Sequence, residues 1–137
     1  AARERGVIFD IGHGMGSFGF ATAEVMLESG FQPECISSDV HVLSIDGPAH
    51  NQLVTLSKFL AMGMPLVDVI AASTTGPADA IRRPELGTLK VGTPGDATVL
   101  RLASGEFQFL DAEGQVREGD SQIVSEGMVI AGNWHDP

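Results

Sequence analysis

The apolar run "GVIFDI" at residues 6–11 is the feature that most constrains the fold of this chain. It shows no alternation of polar and apolar residues, which indicates a strand covered on both faces, as in a parallel sheet. Phe18, Ala21 and Val25 then recur at helical spacing, and "CISSD" at residues 35–39 indicates a second short strand. A strand, a helix and a strand within about 30 residues have the length of one parallel crossover unit.

Further helical patterns follow the second strand. Residues 51–63 carry leucines on one face and end at a glycine, Pro65 opens another helix, and residues 74–81 suggest a short third one. In the first crossover, Ser17 is placed to cap the helix that starts near Phe18. The first two thirds of the chain therefore alternate between strands and helices.

The chain changes character near residue 87. Beyond it, short extended runs alternate with turn signals at Ser104–Gly105 and at Glu113–Gly114. We therefore predict an α/β chain in two parts, with a parallel α/β part over residues 1–86 and a small β part over residues 87–137.

Composition excludes several classes of partner. The formal net charge of −10 disfavours binding to nucleic acid and to anionic membrane surfaces, because both attract basic patches. No run of about 18 apolar residues exists, so no membrane span is expected. The single cysteine, Cys35, has no intrachain disulfide partner, which fits a reducing compartment and predicts a cytoplasmic protein.

The first strand runs into a loop of alternating glycines, "GHGMGS" at residues 12–17. Such a loop lets a ligand approach the backbone amides closely, so a phosphate cradle ahead of the helix is one interpretation. The glycine order is not G-x-G-x-x-G and no lysine follows, which weakens that interpretation. A purely structural role in a tight turn is the other.

His13 and Asp39 follow the two strands of the crossover unit. Residues just past the carboxyl ends of parallel strands line the binding site in such folds, so we expect these two side chains to face one cavity. The residues alone leave the chemistry open. An aspartate at a strand end also serves as a turn or capping residue, and the chain has no recognised metal-binding spacing.

Three segments in this order resemble the amidohydrolase superfamily. They are "RGVIFDIGHGMGSFGF", "ISSDVH" and "STTGPADAIRRPELGTLKVGTPGDATVLRL". They are most similar to the bacterial branch of amidohydrolases and deacetylases related to dihydroorotase. The resemblance implies the C-terminal portion of a (β/α)8 TIM-type barrel, with its last two strands and helices in residues 1–86. It further implies that residues 87–137 are part of a small β-sandwich.

The resemblance also implies a reaction. Enzymes of this family hydrolyse C–N bonds of small molecules, in amides, cyclic amides or N-acyl compounds, with water activated by one or two divalent metal ions, commonly zinc. Asp39 matches the aspartate that ligates a metal and carries a proton to the leaving nitrogen. His13 matches a substrate-contacting position, with metal ligation as a second interpretation, and Gly14 and His41 are expected to contact substrate beside it.

The family's other metal ligands are missing. The chain has no HxH pair, no bridging lysine of the fourth strand and no histidines of the fifth and sixth strands. We therefore expect the 137 residues alone to be inactive and not to retain metal. The expected partners are a small-molecule substrate and the N-terminal barrel portion or another copy of the chain, which allows a homo-oligomer. The alternatives are a non-catalytic α/β interaction module and a small phosphate-binding protein that uses the Gly12–Ser17 loop.

Overall fold

A computed structural model describes residues 2–137 and confirms the α/β class. After a short 3-10 turn (Arg3–Arg5), the elements are β1 (Asp10–Gly12), α1 (Phe20–Glu28), β2 (Cys35–Ser37), α2 (Gln52–Ala61), α3 (Leu66–Ala71), α4 (Thr75–Ala80), β3 (Ala97–Leu110), β4 (Val116–Ile130) and β5 (Asn133–His135). Within residues 2–137, no helix is long and apolar enough to cross a bilayer.

β1 and β2 pair in parallel, with α1 as the crossover, as predicted. The regular ladder is shorter than the apolar run, because it begins only at Asp10, although the amide of Cys35 still donates to the carbonyl of Phe9. Val7 and Ile8 are 43% and 47% exposed. The expectation of a strand covered on both faces therefore fails at this end, since the described residues supply no second layer over it.

The start of α1 also differs from the prediction. The helix begins at Phe20 with Gly19 as its N-cap, and Ser17 instead lies in the preceding turn, where its amide donates to the His13 carbonyl. Phe18 precedes the helix but is still buried in the core. Glycine has no side chain with which to cap the helix, so the cap must come from elsewhere in the chain.

That cap is Asp111, which lies in the turn between β3 and β4. One carboxylate oxygen accepts a 2.8 Å hydrogen bond from the amide of Phe20. The other accepts from the amides of Glu113 and Gln115 at 2.9 and 2.8 Å and closes the turn. Asp111 thus joins the tip of the hairpin to the N-terminus of α1, across 91 residues of sequence.

β3, β4 and β5 form an antiparallel sheet. The predicted turn at Glu113–Gly114 is confirmed, because it connects β3 to β4. The predicted turn at Ser104–Gly105 is wrong: these residues lie inside β3, where the pairing register shifts between Ser104 and Phe107. The same small residues that favour turns also occur in β-bulges, and the local sequence does not distinguish the two.

One hydrophobic core serves the whole described chain. Two of its residues, Phe109 and Ile123, come from the sheet. The others come from the α/β part and include Phe18, Phe20, Ile36, Leu56, Phe59 and Val69. The change from helices to sheet falls between α4 and β3. The division at residues 86 and 87 stays a sequence-based prediction, and the shared core packs the sheet directly against α2.

Replacement of Asp111 by asparagine tests the importance of the hairpin-to-helix cap. The amide offers one acceptor oxygen where the carboxylate offers two, so at least one buried backbone N–H loses its partner. We expect the free energy of unfolding to fall by about 1–3 kcal/mol in urea denaturation at pH 7. Asp120→Asn, at an exposed position in β4, is the matched control.

The same contact predicts a pH dependence. Burial raises the pKa of Asp111, but the backbone N–H groups of Phe20, Gln115 and Glu113 outweigh it and hold the pKa below its usual value. Its stabilising contribution is therefore present above the ordinary aspartate pKa of about 3.9 and lost as pH falls through the lower folded-state pKa. An acid-unfolding profile that is identical in the parent and Asp111→Asn would contradict this assignment.

Candidate active site

The carboxyl ends of β1 and β2 open into a cleft of about 660 Å³. Its floor carries backbone from the two strands, and one rim is formed by the tip of the β3–β4 turn. Three carboxylates line it, together with hydroxyl groups and glycine backbone: Asp10, Gly12, Ser17, Ser37, Asp39 and Glu113. The cleft is therefore strongly acidic, which fits a metal cation or a polar ligand better than an anion.

Asp39 lies in this cleft, as the sequence predicted for the residue after the second strand. Its backbone is in the left-handed region, with φ +48°, and its side chain packs against the backbone of the glycine loop. A Cβ at Gly12 would lie 3.2 Å from Cβ of Asp39, and one at Gly14 would lie 2.6 Å from its Oδ2. Glycine at these two positions is what lets the carboxylate approach the loop so closely.

The Asp39 carboxylate receives no hydrogen bond from any described residue, whereas its neighbour Asp10 is bound by a serine. The Oγ of Ser37 donates to Oδ2 of Asp10 at 2.7 Å. Of these two carboxylates, Asp39 is therefore the one that no described hydrogen-bond donor engages.

His13 does not share the cleft with Asp39, and this corrects the expected geometry. Its side chain is fully buried and stacks on Phe18, with ring centroids 4.8 Å apart. Nδ1 lies 3.0 Å from the carbonyl oxygen of Gly14, and Nε2 lies 2.6 Å from Nζ of Lys58. Both ring nitrogens are thus engaged beneath the loop within the described residues, and the roles expected for this imidazole, substrate contact or metal ligation, stay predictions for the complete protein.

Lys58, on α2, is the partner of His13 that the sequence analysis missed. It is completely buried, and its ammonium group also donates to the carbonyls of Pro48 and Leu110, each at 2.7 Å. Burial lowers the pKa of Lys58 to about 8. Burial and the adjacent ammonium group also lower the pKa of His13, so at neutral pH the lysine carries the proton of this pair.

His41 lies outside the cleft as well. Its side chain is exposed, and its Nδ1 accepts a 3.3 Å hydrogen bond from the amide of Leu43 within its own loop. The expected substrate contact by His41 thus has no support in the cleft formed by the described residues, and it stays a prediction for the complete protein. Gly14, in contrast, lies directly against Asp39, although it is itself buried and does not line the cleft.

The phosphate interpretation fits the glycine loop poorly. The amide of Gly14 donates to the carbonyl of Ser38 at 2.9 Å, and the amide of Ser17 donates to that of His13. Two of the amides that would bind an anion are therefore already used, and the Asp39 carboxylate lies beside them. A negative charge at that point repels phosphate.

Residues 2–137 contain no group of three histidine, cysteine or acidic side chains placed to hold a metal ion. A catalytic zinc site commonly uses three protein ligands. Asp39 offers one oxygen ligand of a suitable kind, but among the described residues it does not belong to a group of three such ligands. The described residues therefore fit a divalent metal only in part, through the carboxylate of Asp39.

Two residues of this region have no predictive signal of the usual kind. Lys58 interrupts an otherwise apolar helix face in "TLSKFL", and a charged residue at such a position was the only sequence feature that indicated a special role for it. Glu113 lies in a turn, where an acidic residue is unremarkable, yet its carboxylate is 3.1 Å from where a Cβ of Gly19 would be, at the cleft rim.

Comparisons with known proteins agree with this architecture. No family model matches the chain. A curated protein named deacetylase from Enterococcus faecalis is 32% identical over 136 residues, which cover 98% of this chain and 37% of that protein. A second deacetylase, from Brucella anthropi, is 38% identical over 111 residues, which cover 81% of this chain and 28% of the relative.

Two solved structures are closely similar. The crystal structure of an adenine deaminase superposes with a TM-score of 0.95 at 31% identity and covers 99% of this chain. That of a dihydroorotase superposes with a TM-score of 0.90 at 34% identity and covers 98%. Both are amidohydrolase-superfamily proteins. The resemblance to the amidohydrolase superfamily is confirmed. The chain spans about a third of each amidohydrolase, 37% and 38% of the two solved chains.

The close approach of Asp39 to the loop yields a test at Gly14. Gly14→Ala places a Cβ 2.6 Å from Oδ2 of Asp39 at a residue with φ +51°, so both the side chain and the backbone are strained. We expect a loss of about 1–3 kcal/mol in the free energy of unfolding, measured by urea denaturation. Gly16→Ala is the matched control, because a Cβ there meets open space; equal losses in the two variants would refute the close packing.

Proposed function

We propose that this chain is part of a metal-dependent amidohydrolase that hydrolyses a C–N bond of a small molecule, and that Asp39 is its contribution to the catalytic centre. The observation that carries the proposal is the location of Asp39: a carboxylate without a described hydrogen-bond donor, in a cleft at the carboxyl ends of parallel strands. That edge is where α/β enzymes bind their substrates. The names of the relatives, deacetylase, adenine deaminase and dihydroorotase, support the same bond type.

In this proposal β1 and β2 are the seventh and eighth strands of a barrel, and β3–β5 belong to the small sandwich. A divalent metal, with zinc as the first candidate, would supply Lewis acidity and lower the pKa of water at the cleft. Asp39 would be one ligand. The remaining ligands would come from the other part of the protein or from another copy, so the 137 residues alone are expected to be inactive.

The chemical role proposed for Asp39 is proton transfer. Its carboxylate would accept a proton from the attacking water and return it to the departing nitrogen, which is general base and then general acid catalysis by one group. The adjacent backbone at Gly14 fixes the direction in which the carboxylate points. Asp10 and Glu113 add negative charge around the cleft, which favours a cation over an anionic ligand.

The interaction-module alternative predicts a different outcome. A module that only packs on a partner needs no carboxylate in its cleft, so a change at Asp39 would leave its partner affinity unaltered. The apolar side chains of Val7 and Ile8, exposed beside β1, are the surface that such a module would use.

The test is Asp39→Asn in the complete protein. Hydrolysis is assayed with an N-acetyl compound, with adenine and with dihydroorotate, the three bond types that the relatives' names indicate. On whichever substrate the parent hydrolyses, we expect kcat to fall by about 100-fold to 10,000-fold, the usual contribution of a positioned acid–base group. Metal content, measured by elemental analysis, is expected to fall as well.

Asp79→Asn is the control for the loss of one negative charge. Asp79 is exposed on α4, away from the cleft. Its substitution is expected to leave kcat and metal content unchanged. Full activity and metal content in Asp39→Asn, or a parent protein that hydrolyses none of the three substrates, would overturn the proposal.

A further inference from the structure

The three hydrogen bonds of Lys58 determine the protonation state of its partner. An ammonium group has three donors and no acceptor. Here Nζ faces three acceptor positions at 2.6–2.7 Å: the carbonyls of Pro48 and Leu110 and Nε2 of His13. With Lys58 protonated, as its pKa of about 8 requires at pH 7, all three bonds form only if Nε2 of His13 carries no proton, so the imidazole is neutral with its hydrogen on Nδ1.

The same tautomer satisfies the other side of the ring. With its hydrogen on Nδ1, His13 donates to the Gly14 carbonyl, 3.0 Å away. Stacking on Phe18 holds the ring in the plane that allows this bond. With the proton of the pair on Lys58, whose pKa of about 8 lies above the lowered pKa of His13, donor and acceptor counts fix the direction of every hydrogen bond from Lys58 through His13 to Gly14.

The chain of contacts continues from Gly14 to the catalytic carboxylate. The Gly14 amide donates to the carbonyl of Ser38, the residue before Asp39, and the Gly14 backbone lies against Oδ2 of Asp39. Gly14 is thus held on both of its peptide groups, by His13 at its carbonyl and by Ser38 at its amide. A shift of this peptide would move the surface on which Asp39 rests.

We propose that Lys58, acting through the Nδ1–H tautomer of His13, is a positioning residue that holds the Gly14 backbone against Asp39 and so sets the direction of its carboxylate. The part that concerns catalysis rests on the proposed function of Asp39. The part that concerns the Lys58–His13–Gly14 chain rests on the hydrogen-bond geometry together with a protonated Lys58. Neither residue touches the cleft, so both act on the reaction only through the loop.

The first measurement reads the chain of hydrogen bonds without any assay of activity. The complete protein is labelled with ¹⁵N-histidine, and His13→Phe identifies the signals of His13. In the parent at pH 7 we expect the neutral Nδ1–H pattern. In Lys58→Met, an apolar side chain of similar length removes the donor to Nε2, and we expect this pattern to be lost or mixed with the Nε2–H form.

Ser57→Ala is the matched control for that measurement. Ser57 is also fully buried on α2 and also connects the helix to the sheet, through a 2.9 Å bond from the amide of Ile123 to its Oγ. It does not contact the loop. We expect the His13 tautomer to be unchanged in this variant although its stability falls.

The second measurement separates positioning from stability. On the substrate that the parent hydrolyses, we expect Lys58→Met to lower kcat by about 10-fold to 100-fold with little change in KM, because a displacement of about 1 Å has effects of this size. The double variant Lys58→Met/His13→Phe replaces the buried polar pair by apolar groups that pack together. We expect its urea midpoint to recover toward the parent while kcat stays low, since the donor to Gly14 is still absent.

The outcomes are distinct. A parent His13 that is not the neutral Nδ1–H form, or a pattern that Lys58→Met leaves unchanged, overturns the hydrogen-bond chain. Recovery of kcat together with stability in the double variant shows a merely structural role and overturns the positioning role. An Asp39→Asn variant with full activity refutes the proposed function but leaves the NMR result for the chain of hydrogen bonds intact.

Discussion

The arrangement of this chain depends on one buried ammonium group. Nζ of Lys58 connects the loop after β1, the segment before α2 and the end of β3 at one point. A lysine without water around it is costly unless each of its donors finds an acceptor. Here each donor does, and the lowered pKa of Lys58, about 8, is the remaining sign of its burial.

This constraint makes the antiparallel sheet part of the site. The carbonyl of Leu110 accepts from Lys58, and the next residue, Asp111, caps α1 and closes the turn that carries Glu113 to the cleft rim. The glycine loop and the hairpin tip are therefore fixed by adjacent residues of the same turn. Leu110 is thus connected to the loop through the hydrogen bonds of Lys58 and His13.

The sequence predicts what depends on local pattern and misses what depends on distant partners. The crossover of β1, α1 and β2, the turn at Glu113–Gly114 and the position of Asp39 after β2 all follow from periodicity and strand order. The cap of α1 does not, because Asp111 is 91 residues from Phe20 and carries no local signal for that role. The nearby Ser17 was therefore the natural but wrong choice.

His13 shows the same limit in the site itself. A histidine in a glycine-rich loop at a strand end has the local features of a ligand-binding residue, and only its contact with Lys58, 45 residues away, reveals that it faces inward. The prediction for Val7 and Ile8 fails in the opposite direction, because these residues were expected to be buried and are exposed. Their apolar character indicates the surroundings that a strand of this composition prefers, while the described residues leave them exposed.

The backbone at Asp39 distinguishes a site from a turn. A left-handed conformation in a residue other than glycine costs about 1–2 kcal/mol, and aspartate commonly offsets this because its carboxylate accepts a hydrogen bond from a nearby backbone N–H. Asp39 has φ +48°, yet no described residue donates to its carboxylate. Two glycines instead make room for the side chain, and a buried lysine and histidine hold one of them in place. Backbone strain that no local hydrogen bond offsets is maintained by the surrounding structure. Such strain is characteristic of groups that are held in position for a ligand. A structural turn would gain nothing from it, and this favours the enzyme over the interaction module.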